Sequence, residues 1–329
     1  MSDPVATIIV VTHNSARWLE RMSAAVAAQT ETRWRLVVVD NASRADERPQ
    51  LTALPAGSSV VQNETNLGFA AANNVGAQDA QTPYLVLLNP DAFPEPGWLA
   101  ALITAVERYP GAAAIGSTQI RAGHETLFDG TGDVMHASGL AYRSNYGRPR
   151  SAPPPEGETF SACAAAMLVR RAAFENVGGF DARYFCYLED VDLCFRLRLD
   201  GWRIVQCADA VVAHVGGGVL GARSAFGDFH GARNRLWTFV KCMPAPLFWP
   251  LFPVHVAASV LAVTATLLQG RGFAAWHGLI AGFAGLGAMW NARGAVQRAR
   301  KARSGDIAAA LAWNPLRFIG RRPVIRPVR

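Results

Sequence analysis

The chain has 329 residues, half of them apolar and 17% charged, with a formal net charge of +7. That is ample for a packed core, in one large domain or two small ones, and it excludes a chain too polar to fold. Residues 1–240 carry 20 basic and 24 acidic side chains, whereas residues 241–329 carry 12 basic ones and a single acid, Asp306. The positive excess belongs to the last quarter, where it points to nucleic acid or anionic lipid. Five cysteines, odd in number and without C-x-x-C spacing, fit reduced thiols in the cytosol, as does the lack of a leader-like run before the first strand.

The first 120 residues alternate strand and helix patterns. "VATIIVV" (5–11) is a short β-branched run, followed by "SARWLERMSAAVAAQ" (15–29) with Leu19, Met22 and Val26 at helical spacing and Asn14 or Ser15 as cap. "RLVVVD" (35–40), "SSVVQ" (58–62), "YLVLL" (84–88) and "AAAIG" (112–116) read as strands, and "GFAAANNVGAQDA" (68–80) and "WLAALITAVERY" (98–109) as helices. Continuous apolar strands separated by helices predict an α/β fold with a mostly parallel sheet covered on both faces. No internal repeat is visible, and "RPRSAPPPEGE" (148–158) predicts an exposed proline-rich loop.

Ligands of such sheets bind at the carboxyl ends of the strands. Here those ends read Thr12-His13-Asn14-Ser15, Asp40-Asn41-Ala42-Ser43, Asn63-Glu64-Thr65-Asn66-Leu67-Gly68-Phe69 and Asn89-Pro90-Asp91. Any one of them is an ordinary turn, because Asn, Asp, Ser and Gly form turns. Four neighbouring ends of this kind predict a nucleotide pocket. A dinucleotide-binding G-x-G-x-x-G is excluded after the first strand, where no glycine occurs before Gly57, and a Walker A motif is absent. The run Gly216-Gly217-Gly218 falls too late for either role.

"VVTHNS", "VVVDNAS", "NETNLGFAAANN", "LLNPDA" and "GGFDARYFCYLEDVDLCFRLRLDGWRI" together resemble glycosyltransferase family 2, most closely its bacterial rhamnosyltransferase-like branch, over residues 5–240. The resemblance implies a GT-A fold and a nucleoside-diphosphate sugar as donor. It assigns Thr12, Asn14 and Asp40 to base and ribose, and Asn66, Gly68, Phe69 and Asn73 to the nucleoside side of the pocket. Asn89 and Asp91 belong to the donor site as well. Two departures stand out: Ala72 replaces a glycine common in relatives, and Asn89-Pro90-Asp91 keeps only the last acid of an Asp-x-Asp. Asp91 would hold Mg²⁺ or Mn²⁺, which neutralises charge growing on the leaving diphosphate.

Glu189, Asp190 and Asp192 open the helix "EDVDLCFRLRLD", which Gly201 stops. Acids favour helix N-termini by about 0.3–1 kcal/mol each, which would explain one of them. By resemblance Asp190 is the catalytic base and Glu189 orients the acceptor, while Asp192 pairs with Arg196 one turn on. The resemblance also makes "SACAAAMLVRRAAFENVGGFD" (161–181) the floor under the acceptor. His214 ends the strand "AVVAHV" (210–215) and by resemblance is expected to be a further metal or diphosphate contact. Arg233, on the helix "FHGARNRLWTFVK" (229–241), either meets a diphosphate or lipid phosphate or belongs to a solvated basic face.

Cys242–Gly270 and Gly272–Ala292 contain no charged side chain, and each reaches the roughly 20 residues that span a bilayer. The turn Gln269-Gly270-Arg271-Gly272 joins them into a predicted apolar hairpin, with Gly278 and Gly282 as a G-x-x-x-G helix-packing face. Lys241 flanks its entry, and Arg293, Arg298, Arg300, Lys301 and Arg303 its exit, which orients both ends to the cytoplasmic side. The hairpin crosses the membrane, lies on it, or packs as a soluble subdomain.

The sequence thus predicts a GT-A domain over 1–245 and a membrane-associated hairpin with a basic tail over 246–329. The expected activity is inverting transfer of a sugar, foremost L-rhamnose from dTDP-L-rhamnose, to a lipid-linked saccharide in cell-envelope polysaccharide synthesis. The expected place is the cytoplasmic face of the cell membrane, peripheral or hairpin-inserted, on an anionic surface. The alternatives are a UDP- or GDP-sugar donor, or a non-catalytic nucleotide-sugar or anionic-lipid binder on the same scaffold. The apolar hairpin beside the basic tail favours lipid over nucleic acid as its partner.

Overall fold

The computed structural model describes residues 3–150, 154–216 and 224–328. Residues 151–153 of the proline-rich stretch, and Gly217 and Gly218, lie outside them. Twelve strands occur among the described residues: β1 (Ala6–Thr12), β2 (Trp34–Asn41), β3 (Ser59–Asn63), β4 (Tyr84–Leu88), β5 (Ala92–Pro94), β6 (Ala112–Arg121), β7 (His124–Gly130), β8 (Asp133–Met135), β9 (Ala141–Arg143), β10 (Gly157–Thr159), β11 (Ala166–Arg170) and β12 (Arg203–His214). The main sheet runs β10-β12-β6-β11-β4-β1-β2-β3, with β5 added beside β12 and β7 beside β6. β1, β2, β3 and β4 are parallel, β12 is parallel to β6, and β11 runs antiparallel between β4 and β6.

Helices α1 (Ala16–Ala27) and α3 (Trp98–Arg108) cover one face of the sheet; α2 (Gly68–Ala77), α4 (Arg171–Asn176) and α5 (Glu189–Leu199) cover the other. The period-2 pleat explains the division. Ile8 and Val10 face Leu19, Met22 and Leu102, whereas Ile9 and Val11 face Ala70, Ala72 and Leu193. All seven residues of β1 are buried, as its unbroken apolar reading requires. Ser15 takes the cap position of α1, but its hydroxyl donates to the His13 carbonyl instead of capping the helix.

The last quarter forms α6 (Ala225–Cys242), α7 (Ala245–Leu268), α8 (Ala274–Ala284), α9 (Leu286–Ala299), α10 (Ser304–Ala310) and α11 (Leu316–Ile319). The turn after α7 falls at Gln269–Gly272 as expected. The second apolar run, however, is not one helix. It breaks at Gly285, where a Cβ would lie 2.6 Å from the Trp237 ring, and the Trp237 indole N–H donates to the Gly282 carbonyl at 3.0 Å. Gly278 abuts the Phe229 carbonyl and Gly282 the Arg233 backbone, so the G-x-x-x-G face packs α8 onto α6 inside the protein. Among the described residues, α7 alone is long and apolar enough to cross a membrane.

Two of the supposed flanking charges are also internal. Lys241 is buried between Asp181 (2.6 Å) and Asp192 (2.7 Å), and Arg293 Nη1 donates to the carbonyls of Val240 (2.8 Å) and Met243 (2.5 Å). A third core joins Met135, Phe160, Val191 and Phe195 to Leu236, Phe239, Phe248, Val263, Leu279, Met289, Ile307 and Leu311. It runs continuously across residue 245. The tail returns to the sheet region, with Ala312 beside His136 and Arg326 beside Glu158.

One apolar face stays uncovered. Phe248, His255, Ser259 and Val263 form the buried stripe of α7, while Trp249, Val254, Leu261 and Leu268 point outward. Phe273, Ile280, Phe283 and Trp290 extend the exposed face over α8 and α9. A cavity of about 690 Å³ lies elsewhere, at the tail, lined by Phe128, Arg148, Arg317 and Arg322 among others.

Candidate active site

Parallel register brings the polar strand ends to one edge, with Thr12 opposite Asp40 and Asn41 opposite Asn63. Asp40 Oδ1 accepts from the Ser43 N–H at 3.1 Å, but Asp40 Oδ2 and the Thr12 hydroxyl are buried with no partner in the protein. Buried polar groups are nearly always paired, so orphans at a strand end mark a place for a ligand. Asn14, in a left-handed conformation (φ +51°), accepts from the Arg44 N–H (2.9 Å) and ties the first turn to the second. The turn at Asn66 and Gly68 is held by Asn41, whose Nδ2 donates to Asn66 Oδ1 (2.8 Å) and whose Oδ1 accepts from the Leu67 N–H (3.0 Å).

Gly68 has φ +79°, and a Cβ there would sit 2.6 Å from the ring and carbonyl oxygen of Phe185. Only glycine lets the donor-side turn approach the run leading to the acidic helix so closely. Phe69 turns its ring to Phe180 at 6.2 Å, and Asn73 donates to the Phe69 carbonyl within its own helix at 2.9 Å. Its neighbour Asn74 clamps the Gly178–Asp181 turn, donating to the Phe180 carbonyl (2.8 Å) and accepting from the Phe180 N–H (2.9 Å).

β4 and β12 bring Asn89, Asp91 and His214 together. His214 Nε2 lies 3.4 Å from Asp91 Oδ1 and 3.4 Å from Asn89 Nδ2, while Nδ1 donates to Asp129 Oδ2 at 2.8 Å. Asp129 is in turn paired with Arg143 (2.7 Å), which holds its carboxyl below the usual range despite burial. Burial disfavours the His214 charge, but the two flanking carboxylates win and raise it to about 9. When the ring gives up that extra proton, the Asp129 carboxylate keeps the remaining one on Nδ1 and leaves Nε2 free, the usual support of a metal-bound histidine. Asn89 Oδ1 is buried without a partner beside them. Among the described residues no three His, Cys, Asp or Glu side chains form a complete metal cage. Asp91, His214 and Asn89 suit a cation whose remaining positions go to phosphate oxygens and water, as Mg²⁺ prefers.

The acidic helix faces this edge. Phe185, Tyr187 and Leu188 have φ of +64°, +70° and +63°. Strain of this kind costs about 1–3 kcal/mol per residue and collects at functional sites. One side chain holds the run: Asn234 Nδ2 donates to the carbonyls of Tyr184 (3.0 Å), Cys186 (2.9 Å) and Tyr187 (2.7 Å). Arg233 assists, with Nη2 on the Tyr184 carbonyl (2.8 Å) and its guanidinium 4.3 Å over the Trp237 ring. Arg233 thus braces the strained run, half-buried beside the site, instead of standing on a fully solvated face.

Asp190 accepts from the N–H groups of Val191 (2.8 Å) and Ala164 (3.1 Å), and burial raises its carboxyl above the ordinary aspartate value. Glu189 is buried, its Oε2 has no partner, and burial plus the Asp190 charge raise it well above the ordinary value. Asp192 pairs with Arg196 (2.8 Å) and Lys241, so it builds the core of the helix start. The 163–165 turn links both halves of the site. Ala164 gives its N–H to Asp190, and Ala165 accepts the Asn89 N–H at 2.9 Å.

Sequence reasoning passed over Asp129, Asp133, Arg143 and Cys163. Asp129, Asp133 and Arg143 come from β7, which edges the main sheet, and from the separate β8-β9 pair, whose three-residue strands carry no clear period. Arg143 bridges Asp129 and Cys163 Sγ, and buried Asp133 is pushed up to about 7 by burial and by the Asp190 charge. Asn41 and Asn234 were missed as organisers because a side chain that bonds to backbone leaves no sequence motif.

The fold matches the mannosyltransferase PcManGT from Pyrobaculum calidifontis, solved with GDP-Man and Mn²⁺, at TM-score 0.53 and 18% identity over 91% of this chain and 86% of that one. It also matches GalNAc-T7, solved with UDP, GalNAc and Mn²⁺, at TM-score 0.59 and 16% identity over 74% and 49%. The architecture is therefore of the GT-A type. Residues 7–178 match Glycosyl transferase family 2, and the chain belongs to that family; it is a glycosyltransferase of rhamnosyltransferase-like kind. It is 30% identical to the N-acetylglucosaminyl-diphospho-decaprenol L-rhamnosyltransferase of Mycobacterium tuberculosis over 309 residues, covering 81% of this chain and 95% of that protein. A shorter segment is 58% identical over 38 residues to rhamnosyltransferase WbbL of Escherichia coli, covering 12% of this chain and 14% of that protein.

Proposed function

We propose that the enzyme is an inverting rhamnosyltransferase, moving L-rhamnose from dTDP-L-rhamnose to a lipid-linked saccharide diphosphate in cell-envelope polysaccharide synthesis. The mycobacterial relative, whose name gives L-rhamnose as the sugar and a lipid-diphosphate saccharide as the acceptor, supports those two parts of the reading. The observation that carries the reading is the shared 163–165 turn, which holds Asp190 and Asn89 through adjacent residues. A base and a diphosphate site so fixed suit a single displacement. The nucleoside lies along the strand ends, where Thr12 and Asp40 offer unpaired polar atoms. Asp190 takes the proton of the acceptor hydroxyl as that oxygen bonds to the anomeric carbon from the face opposite the leaving diphosphate. Asp91, His214 and Asn89 would hold a divalent cation, which would supply Lewis-acid neutralisation of that diphosphate. The exposed apolar face of α7–α9 supports a membrane-bound enzyme, working at the cytoplasmic surface on an acceptor that never leaves the bilayer.

Transfer assays with dTDP-L-rhamnose, UDP-sugars and GDP-sugars, each with Mg²⁺ or Mn²⁺, test the donor. dTDP-L-rhamnose is expected to be preferred; preference for another nucleotide replaces it, and binding without turnover of any donor leaves a nucleotide-sugar binding protein. EDTA and Asp91→Asn are each expected to remove most transfer while the protein stays folded. Normal activity in both removes the metal from the reading.

A further inference from the structure

Arg143, the last residue of β9, has no part in the chemistry proposed above, yet its guanidinium touches both arms of the site. Nη1 donates to Asp129 Oδ2 at 2.7 Å, and the same oxygen accepts from His214 Nδ1 at 2.8 Å. His214 Nε2 in turn lies 3.4 Å from Asp91 Oδ1 and from Asn89 Nδ2. Nη2 of Arg143 donates to Cys163 Sγ at 2.7 Å. The next residue, Ala164, gives its N–H to Asp190 at 3.1 Å, and Ala165 accepts the Asn89 N–H at 2.9 Å. One planar group thus reaches the cation arm through Asp129 and the base arm through the 163–165 turn.

Two glycines make room for this contact. A Cβ on Gly130, at the end of β7, would lie 2.5 Å from Arg143 Cγ and Cδ, so any other residue there would push the guanidinium off its partners. Gly216 packs against the other oxygen of Asp129, where a Cβ would come within 3.2 Å of Oδ1. The Arg143 side chain is 28% exposed against 3% for Asp129, so Arg143 can be replaced without opening a closed core. A guanidinium presents its N–H groups in a rigid fork, which fixes two partners relative to each other as a single ammonium cannot. Its charge matters too. Burial disfavours the ionised forms of Asp190 and of Asp133, which faces Arg143 across the β8-β9 pair, and the Arg143 charge opposes that at both. Cys163 is pushed up to about 12 by burial, so it accepts the Nη2 bond as a neutral thiol and leaves the positive charge to the carboxylates.

We propose that Arg143 is a positioning residue for the transfer, holding His214 through Asp129, and Asp190 through the 163–165 turn, at a fixed separation. Cation and base then act on one donor–acceptor pair in a single step. The proposal rests on the function proposed above, which supplies both the cation and the base.

The test uses the full chain in detergent and compares wild type with Arg143→Met, Arg143→Lys and Gly130→Ala. Mn²⁺ binding is read by electron paramagnetic resonance with dTDP, UDP or GDP present. Transfer is measured with whichever sugar nucleotide the wild type consumes, so a wrong donor is not confused with a wrong link. In Arg143→Met, Mn²⁺ affinity and kcat should each fall by about 10–100-fold, the usual cost of losing the support behind a metal-bound histidine. Nucleotide affinity in EDTA should stay unchanged, since Thr12 and Asp40 are untouched. Arg143→Lys keeps the charge without the fork: its ammonium goes to the Asp129 carboxylate and leaves the thiol. Mn²⁺ affinity should then return close to the wild-type value while kcat stays at least about tenfold low, because a base displaced by an ångström loses rate steeply. Gly130→Ala keeps every charge and moves the guanidinium, so it should lower both quantities, and it carries the test alone if Arg143→Met does not fold. Wild-type Mn²⁺ affinity and kcat in the folded variants overturn the link, and so does a lower melting temperature with neither changed, the mark of an arginine that only holds the fold. Wild-type kcat in Arg143→Lys also overturns it, because charge alone would then suffice. A wild type that binds no Mn²⁺ with any of the three nucleotides removes the cation and the link with it, a failure of the function proposed above that shows before any variant is made.

Discussion

Glu189 and Asp190 share a peptide bond and differ in what they can do. Asp190 accepts two backbone N–H bonds, which favour its charged form against burial. Glu189 has an orphaned oxygen, and burial plus the Asp190 charge push its carboxyl well above its ordinary value, toward the neutral form. A base must be charged to work, which selects Asp190. Asp190→Asn should lower turnover by about 10²–10⁴ with nucleotide-sugar binding unchanged, and Glu189→Gln should cost less. The reverse order in single-turnover rates would exchange their roles. Asp133 adds a pH signature. Its carboxyl rises from an ordinary 3.8 to about 7, so the folded state binds its proton more tightly than the unfolded state. Stability should therefore decline as pH rises from about 4 to about 7. Asp133→Asn should flatten that decline in denaturant midpoints; an unchanged slope means that Asp133 titrates normally.

At the scale of elements, the strand–helix alternation and the motifs at the strand ends could be read from sequence because apolar period and turn chemistry are local signals. α5 begins and ends where its acids and Gly201 placed it. The β7–β9 segment could not be read, because β8 and β9 have only three residues each and Asp129 meets His214, 85 residues on. The second apolar run was misread for a related reason. Composition shows that Gly278, Gly282 and Gly285 are small, not which helix comes close. Gly68 was legible as a turn glycine, but its contact with Phe185 joins segments more than a hundred residues apart. Gly68→Ala should introduce both positive-φ strain and a clash with the Phe185 ring and carbonyl. The expected loss is about 1–3 kcal/mol of stability, with weaker donor binding and lower turnover together. A variant with wild-type melting and wild-type donor KM would show that the turn can move away without consequence.

At the scale of the molecule, charge count and apolar length describe a hairpin set apart from residue 246 onward, whereas the structure builds the last quarter into the third core. Phe248, Val263, Leu279 and Met289 pack with Phe195, Leu236 and Phe239, and His255 binds the turn at Ser138. Lys241 and Arg293, counted as membrane flanks, hold that core from inside. Deleting residues 246–329 should therefore unfold much of the protein instead of releasing an intact soluble domain. The membrane part has to be tested on the exposed side of α7, where Leu261 and Leu268 are 71% and 83% exposed. Fully burying a leucine side chain gains about 1.5–3 kcal/mol, so losing two from a bilayer should weaken partition by roughly a hundredfold or more. Leu261→Glu with Leu268→Glu should keep the melting temperature and donor hydrolysis of the wild type, yet fail to float with anionic vesicles and process lipid acceptor poorly. A helix crossing the bilayer on its own would have to leave the core that holds Phe248, His255 and Ser259. The double variant should then fail to insert and lose stability as well, and a fall in melting temperature alongside lost flotation would favour a crossing helix over one lying in the interface. Flotation that survives both charges would mean that α7 faces another protein surface and that the membrane contact lies elsewhere.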